Sequence, residues 1–165
     1  MMPSFGQVVS EIFYKGKLLH AKHSDKLPHL IFHNLGGKMR PNGTSKYSRE
    51  DSKKCIVILE RYQGKIPPLT YQVLTFYEAQ CRHVKHLRGN INVCCIDSFQ
   101  GQEADIIILL LSVRKCSLSK FMLSSGRICV GISRARIDLH IVGNWGTMVP
   151  SDIWRDILKG FKKVN

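Results

Sequence analysis

The sequence predicts an α/β domain, a mostly parallel sheet with helices on both faces, and three observations carry that prediction. Segments suited to strands and to helices alternate along almost the whole chain, the order that builds parallel sheets. Ile106–Ser112 is a run rich in Ile and Leu without period-2 alternation, as a central strand buried on both faces requires. Between 93 and 144, polar residues gather where strands meet helices, the places where open α/β sheets hold ligands. At 165 residues with 44% hydrophobic side chains, the chain suffices for one core and is short for two. The expected layout is a single domain over 1–165: an entrance segment 1–26, a sheet core 27–145 and a C-terminal helix within 146–165.

Each element has a local reason. A brief helical stretch over Ser4–Phe13 leads into a turn or strand edge at Tyr14–Leu18. Leu27–Phe32 reads as a strand introduced by Pro28. Gly36, Gly37, Pro41, Asn42 and Gly43 make a polar loop. Ser48 suits a helix N-cap, with Asp51 three residues on in position to cap back. Ile56, Leu59 and Tyr62 give that helix its apolar stripe, and Gly64 and Pro67-Pro68 close it. Tyr71–Thr75 is a strand, Tyr77–Leu87 a helix, Gly89-Asn90 a turn and Val93–Asp97 a strand. After the central run come a helix from about Ser124 to Arg136, a strand over Ile137–Val142 and a last helix from Ser151. Ile153, Trp154, Ile157, Leu158 and Phe161 form one face of that last helix, with Lys159, Lys162 and Lys163 suited to its C-terminal end.

Composition narrows the function classes. The formal net charge is +13, from 25 Lys and Arg against 12 Asp and Glu, which points to a polyanion partner, nucleic acid first among them. The basic residues are spread along the chain, as on a folded positive face. No run approaches the roughly eighteen apolar residues of a membrane span, and the N-terminus lacks the pattern of a secretion signal; the expected location is intracellular, cytoplasmic or nuclear. Six cysteines without a CxxC pair read as reduced thiols. Cys81, His83 and His86 lack a second ligand pair, so no metal site is expected.

Three constellations carry chemistry. On the helix at 124–136, Ile128, Ile132 and Ala135 form the buried stripe. Arg127 and Arg134 lie on another stripe, with Gly131 between them. Arginine suits bidentate phosphate recognition, and a mid-helix glycine suits close approach by another group; two surface arginines in salt bridges are the plainer alternative. The turn Ser98-Phe99-Gln100-Gly101-Gln102-Glu103 presents an amide and a carboxylate at the C-terminal end of a strand, fit to meet ribose hydroxyls or a partner arginine. Thr75 through Gln80 joins a strand end to a helix N-terminus, where N–H groups and a hydroxyl can hold a nucleic-acid phosphate or form an ordinary cap.

Together these segments resemble the C-terminal RecA-like domain of superfamily 1 helicases of the up-frameshift and NFX-type zinc-finger group. Val73–Gln80 resembles the family's "ILTPYxxQ", Ile96–Ile107 its motif V, "VDxFQGxExDxII", and Arg127–Arg136 its motif VI, "RLNVALTRAR". Ile141–Asn144 matches "IVGN", and Phe13–Leu18 resembles "FYxGxL". The resemblance implies that Arg134 is an arginine finger on the γ-phosphate of ATP. It also implies that Gln100, Gly101, Glu103 and Arg127 line the nucleotide site, and that Thr75, Tyr77 and Ser98 contact single-stranded RNA or DNA. Four positions depart from the pattern: Cys95 stands for Ser or Thr, Cys129 for Asn, Phe76 for Pro and Ser48 for Asn.

The sequence contains no G-x-x-x-x-G-K-[ST] phosphate loop and no acidic pair after an apolar strand to hold Mg²⁺. The family carries both on a first RecA-like domain. Met1-Met2-Pro3 resembles the tail of its "YRMHP" element, which suggests a fragment, a truncated product or a degenerate paralogue. The expectation is therefore a helicase half that cannot hydrolyse ATP alone and needs a first RecA-like domain or a full-length helicase as partner. The alternative is a non-catalytic module that binds single strands or docks on a helicase.

Overall fold

The computed structural model describes residues 5–15, 28–65, 67–114 and 118–165. The expectations for Met1–Pro3, Gly16–Leu18 and Leu27 lie outside these residues. The chain runs α1 (Phe5–Tyr14), β1 (His29–Asn34), β2 (Met39–Asn42), β3 (Ser45–Ser48), α2 (Arg49–Glu60), β4 (Tyr71–Thr75) and α3 (Glu78–Leu87). It continues through β5 (Val93–Cys95), a 3₁₀ turn (Ile96–Phe99), β6 (Ala104–Leu110), α4 (Ser125–Ser133) and β7 (Ala135–Gly143). Two short helices, α5 (Trp145–Met148) and α6 (Asp152–Leu158), and β8 (Lys162–Val164) end it.

Six strands form one sheet in the order β5-β4-β6-β7-β1-β8, and every pairing in it is parallel. The α/β prediction holds, and the reason is visible in β6. Ile107, Leu109 and Leu111 pack on one face with Ile128, Ile132 and Trp154. Ile106, Ile108 and Leu110 pack on the other with Cys55, Ile58 and Val84. Alternate residues thus enter two cores, and the strand has no polar face to show in its sequence.

Several expected boundaries move. The polar loop around 36–43 contains a strand: β2 and β3 form an antiparallel hairpin turned at Gly43-Thr44, with Gly43 at φ +60°. Val93–Asp97 stays extended only to Cys95, because the chain must then cross β4 within a few residues to start β6. The helix expected to reach Arg136 ends at Ser133, since Ala135 already pairs with Ala104. The last helix stops at Leu158: Lys162 and Lys163 lie in β8, beside β1, and the region 146–165 is two short helices and a strand rather than one helix.

The Ser48 cap forms, but its reciprocal arm is reassigned. Ser48 Oγ accepts from the Asp51 N–H at 3.1 Å, whereas the Ser48 N–H donates to Gln80 Oε1 at 2.6 Å. The fully buried Asp51 carboxylate instead accepts from the Ser112 N–H at 3.0 Å and pairs with Arg114. Ser112 adopts φ +50°, and its hydroxyl donates to Gln80 Oε1 at 2.7 Å, so the network holds a left-handed residue at the exit of β6. Arg114 also donates to the carbonyls of Gly36 and Val113. Burial pushes the Asp51 carboxyl up, against the pull of Arg114, the Ser48 hydroxyl and the Ser112 N–H.

A second buried polar chain crosses β1 and β7. His33 and His140 meet at 2.9 Å through Nε2 and Nδ1, and Tyr62 OH lies 2.6 Å from His140 Nε2 and donates to Asp138 at 2.6 Å. Burial pushes His33 down to about 3 and His140 to about 4.

Two predictions follow from these buried groups. Asp51→Asn strands the Arg114 guanidinium and should lower the unfolding free energy by about 3–5 kcal/mol, with Asp51→Leu/Arg114→Met recovering part of the loss; urea denaturation measures both. The two histidines have folded-state pKa values below the ordinary value near 6.5. The unfolded chain therefore binds more protons below that value, and stability present above it is lost as pH falls toward 4 and 3. The unfolding free energy from urea denaturation should fall between about pH 7 and pH 5, at up to roughly 1.4 kcal/mol per histidine per pH unit, and His33→Leu should flatten that slope.

Candidate functional site

Because the sheet is parallel, all strand C-termini share one edge and all N-termini the other, and the topology sorts the candidate residues between them. The crossover at 96–103 leaves β5 at the level of Thr75 and delivers the chain to β6 at the level of Tyr71. Gln100, Gly101 and Glu103, which the sequence places after a strand's C-terminal end, are therefore at the N-terminal edge of β6. Gly101 is at φ +80°, a left-handed value that glycine supplies without strain and that turns the crossover into the strand.

Helix α4 packs against this crossover and runs the same way, opposite to the strands. Gly131 is the contact point: a Cβ there would come within 2.9 Å of Ile96 Cδ1 and 3.1 Å of Leu109 Cδ2. The close approach that this glycine permits is thus to the core, not to a ligand. The crossover and α4 together make a wall on one face of the sheet. Ser98, Gln100 and Glu103 are exposed along it, and Arg127 and Arg134 are half-buried.

The two arginines sit about 10 Å apart along the helix, at 1.5 Å per residue. Arg127 Nε donates to Asp97 Oδ1 at 2.8 Å, and its guanidinium stacks 4.0 Å from the Phe121 ring centroid. Arg134 caps the other end of α4, where its carbonyl accepts from the Ala104 N–H at 3.1 Å, right after Glu103. Its Nε is buried and has no hydrogen-bond partner among the described residues. A buried donor without an acceptor costs about 1–3 kcal/mol, so this position is not optimised for the isolated domain.

Around Arg134 the wall is charged and tied down. Arg136 Nε donates to Asp105 at 3.0 Å, and its guanidinium is 3.9 Å from Glu103. Asp105 also accepts from the Thr70 N–H and hydroxyl, both at 2.9 Å, and these bonds hold its carboxyl below the usual carboxylate range. Cys129, where the family carries Asn, packs in the core and lies 3.5 Å from the Tyr14 hydroxyl. That contact pushes the Tyr14 hydroxyl up, and the charge of Arg134 pulls it back.

Thr75 and Tyr77 lie on the opposite, C-terminal edge. The Thr75 hydroxyl is fully buried, accepts from the Tyr77 N–H at 2.8 Å and donates to the Tyr77 carbonyl at 2.7 Å. It forms the turn that starts α3. Tyr77 is the N-cap, half-buried, with the Lys46 ammonium 4.9 Å from its ring centroid. Cys81, His83 and His86 do not converge: Cys81 lies 3.7 Å from Cys95, whereas His83 bonds Ser52 at 2.8 Å. Burial pushes the Cys81 thiol up to about 12.

Sequence reasoning missed three contributors. Phe121 supports Arg127 from a segment with no regular structure. Arg136 braces the motif V turn through Glu103 and Asp105; its place beside Arg134 in Ser133–Arg136 was the available signal. Tyr14 reaches α4 from the first helix, a contact between residues 115 apart in the chain that no local pattern encodes.

An all-parallel sheet carrying this arginine-bearing wall defines a RecA-like helicase domain, and comparison with known proteins agrees. The C-terminal domain of a possible DNA helicase from Lactobacillus plantarum has the same fold, with a TM-score of 0.62, 13% identity and coverage of 98% of this chain and 96% of that one. The model of an AAA domain family matches residues 1–146. The chain belongs to that family, as the C-terminal RecA-like domain of superfamily 1 helicases of the up-frameshift and NFX-type group. It is 25% identical to the ATP-dependent helicase NAM7 of Saccharomyces cerevisiae over 99% of its own length and 20% of that protein's. It is 25% identical to helicase sen1 of Schizosaccharomyces pombe, covering 96% of this chain and 11% of that protein. Against the human NFX1-type zinc finger-containing protein 1 the identity is 31%, over 59% of this chain and 5% of that protein. The chain thus spans a fifth or less of each of these relatives. Among the described residues no helix is long and apolar enough to cross a membrane.

The different anchoring of the two arginines gives a stability prediction. Arg134→Met removes an unsatisfied donor and should leave the unfolding free energy unchanged within about 0.5 kcal/mol, or raise it. Arg127→Ala, which loses an exposed ion pair and a ring contact, should lower it by up to about 1 kcal/mol. Chemical denaturation of the two variants beside the parent chain reads both.

Proposed function

We propose that this chain is the arginine-bearing half of an ATP-dependent helicase motor acting on single-stranded RNA or DNA. The observation that carries this reading is Arg134: a guanidinium at the C-cap of α4, with a buried Nε that has no partner within the described residues. A group held ready in this way suits an anion brought from outside the domain. In this reading Arg134 meets the γ-phosphate of ATP as an arginine finger, and Glu103, Gln100, Gly101 and Arg127 line the same cleft. Bound ATP with Mg²⁺ supplies the phosphoryl group and the energy of translocation.

The residues of this chain then have separable tasks. Arg134 places positive charge where the transferred group becomes more negative, Arg136 holds Glu103 and Asp105 in place, and Asp97 and Phe121 fix Arg127. Tyr77 and Ser98, and the backbone turn that Thr75 forms, contact the strand from the C-terminal edge and the crossover. The sequence holds no phosphate loop, so the phosphate-binding wall comes from a first RecA-like domain, and the chain by itself does not turn over.

The expected outcome is no ATPase from the isolated chain with single-stranded RNA, and restored ATPase when a first RecA-like domain from the same group is supplied. Arg134→Met should then cut the restored rate by about 10³ or more, while leaving the fold intact. Turnover by the isolated chain, or a restored rate unaffected by the substitution, counts against the reading.

A further inference from the structure

The flank of the domain away from the α4 wall carries a second feature. The β2–β3 hairpin lies against α3, fixed there by the Ala79 N–H donating to Ser45 Oγ at 3.1 Å and by the Ser48–Gln80 bonds. Between them is an open groove of about 390 Å³, lined by Tyr47, Arg49, Lys53, His83, His86 and Leu87. A second depression of about 280 Å³ adjoins it, sharing Tyr47, His83 and His86 and adding Asn42 and Arg82. The Tyr47 and His83 rings stack at 4.5 Å and 24° along the line where the two meet.

The charge in this groove is unfavourable for the domain alone. Arg49 is the first residue of α2, against the positive end of the helix, and Arg49 and Lys53 are a like-charged i, i+4 pair. Two neighbouring carboxylates are engaged elsewhere, and a third already pairs with a groove arginine. Asp51 holds Arg114, Glu78 pairs with Arg82 at 3.2 Å, and the Glu50 side chain occupies the space beside Gly37. Burial first, and then the charges of Arg49, His86 and Arg40, push His83 down.

We propose that this groove binds single-stranded nucleic acid, continuing the strand path that begins at Tyr77. Lys46, over the Tyr77 ring, links the C-terminal edge of the sheet to the hairpin. Arg49 and Lys53 face phosphates, and the Tyr47–His83 stack offers a π surface to a base, the combination by which proteins hold single strands without reading their sequence. The inference rests on the nucleic-acid part of the function proposed above and not on Arg134.

Fluorescence anisotropy of a labelled U-rich 12-mer with the full chain tests it at two salt concentrations. Arg49→Glu/Lys53→Glu should weaken binding about tenfold or more at low salt and reduce the salt slope by about one to two. Lys162→Glu/Lys163→Glu changes the net charge by the same amount on exposed β8 and should cost less than about threefold. Glutamate at position 49 also suits a helix start, so the groove variant keeps its fold. Tyr47→Ala should lose about fivefold or more, with Tyr47→Phe restoring most of it. Equal losses from both charge variants would make the attraction a matter of net charge and overturn the groove. Loss with Tyr77→Ala but not with the groove variant would confine the strand to the sheet edge, leaving the function proposal standing without the groove. A parent chain with no salt-dependent binding would sink both. Binding of polyglutamate but not of the 12-mer would assign the groove to an acidic polypeptide and overturn the proposal.

Discussion

The burial of one carboxylate organises this domain. Asp51, with no exposed surface, joins the start of α2 to the exit of β6 and to Arg114, while Gln80 ties α3 to the same point through Ser48, Ser52 and Ser112. A charge taken out of water is tolerable only when its partners are complete, and here each is supplied by a different segment. Ser112 is held at a left-handed φ because its N–H and hydroxyl are both needed there. The network therefore fixes how the hairpin, two helices and the central strand meet, and it does so without occupying the α4 wall.

That separation matters for the site. The α2–α3 face is braced by buried polar networks, although His33 Nδ1 there has no partner among the described residues, whereas the α4 face is packed by apolar contact between α4, the crossover and α1. Arg134 stands at the edge of the second face with an unpartnered nitrogen. The wall also explains why Gly131 is glycine: an added Cβ would come within 2.9 Å of Ile96 Cδ1, so a side chain there would push α4 off the crossover.

The parallel sheet imposes a second constraint. A crossover from β5 over β4 to β6 must travel from one edge of the sheet to the other, so the motif V turn and the Thr75–Tyr77 corner cannot share an edge. Candidate nucleotide residues and candidate strand residues are thereby kept apart, with Asp97 and Ser98 in the turn that directly follows β5. Arg127 is engaged with Asp97 and Phe121 at about two turns of helix from Arg134.

Much was legible in the chain itself. The α/β class, the central strand and the Ser48 cap follow from local rules, because periodicity, caps and turn residues act over a few positions; the motif V and VI segments were legible through their resemblance to the helicase family. The hairpin at 39–48 escaped because Gly, Pro and Asn mark a loop and a tight hairpin alike, and pairing decides between them. The β8 strand escaped because Lys162 and Lys163 suit a helix end as well as an exposed edge. By itself the sequence determined most elements of the main sheet, their order, and the residue types at each junction. Only the tertiary structure decided which edge each junction occupies, that Asp51 abandons its capping role for Arg114, and that Gly131 serves packing. Those outcomes depend on contacts between segments 30 or more residues apart, Gly131 to Ile96 at 35 and Asp51 to Arg114 at 63, and no local pattern records them.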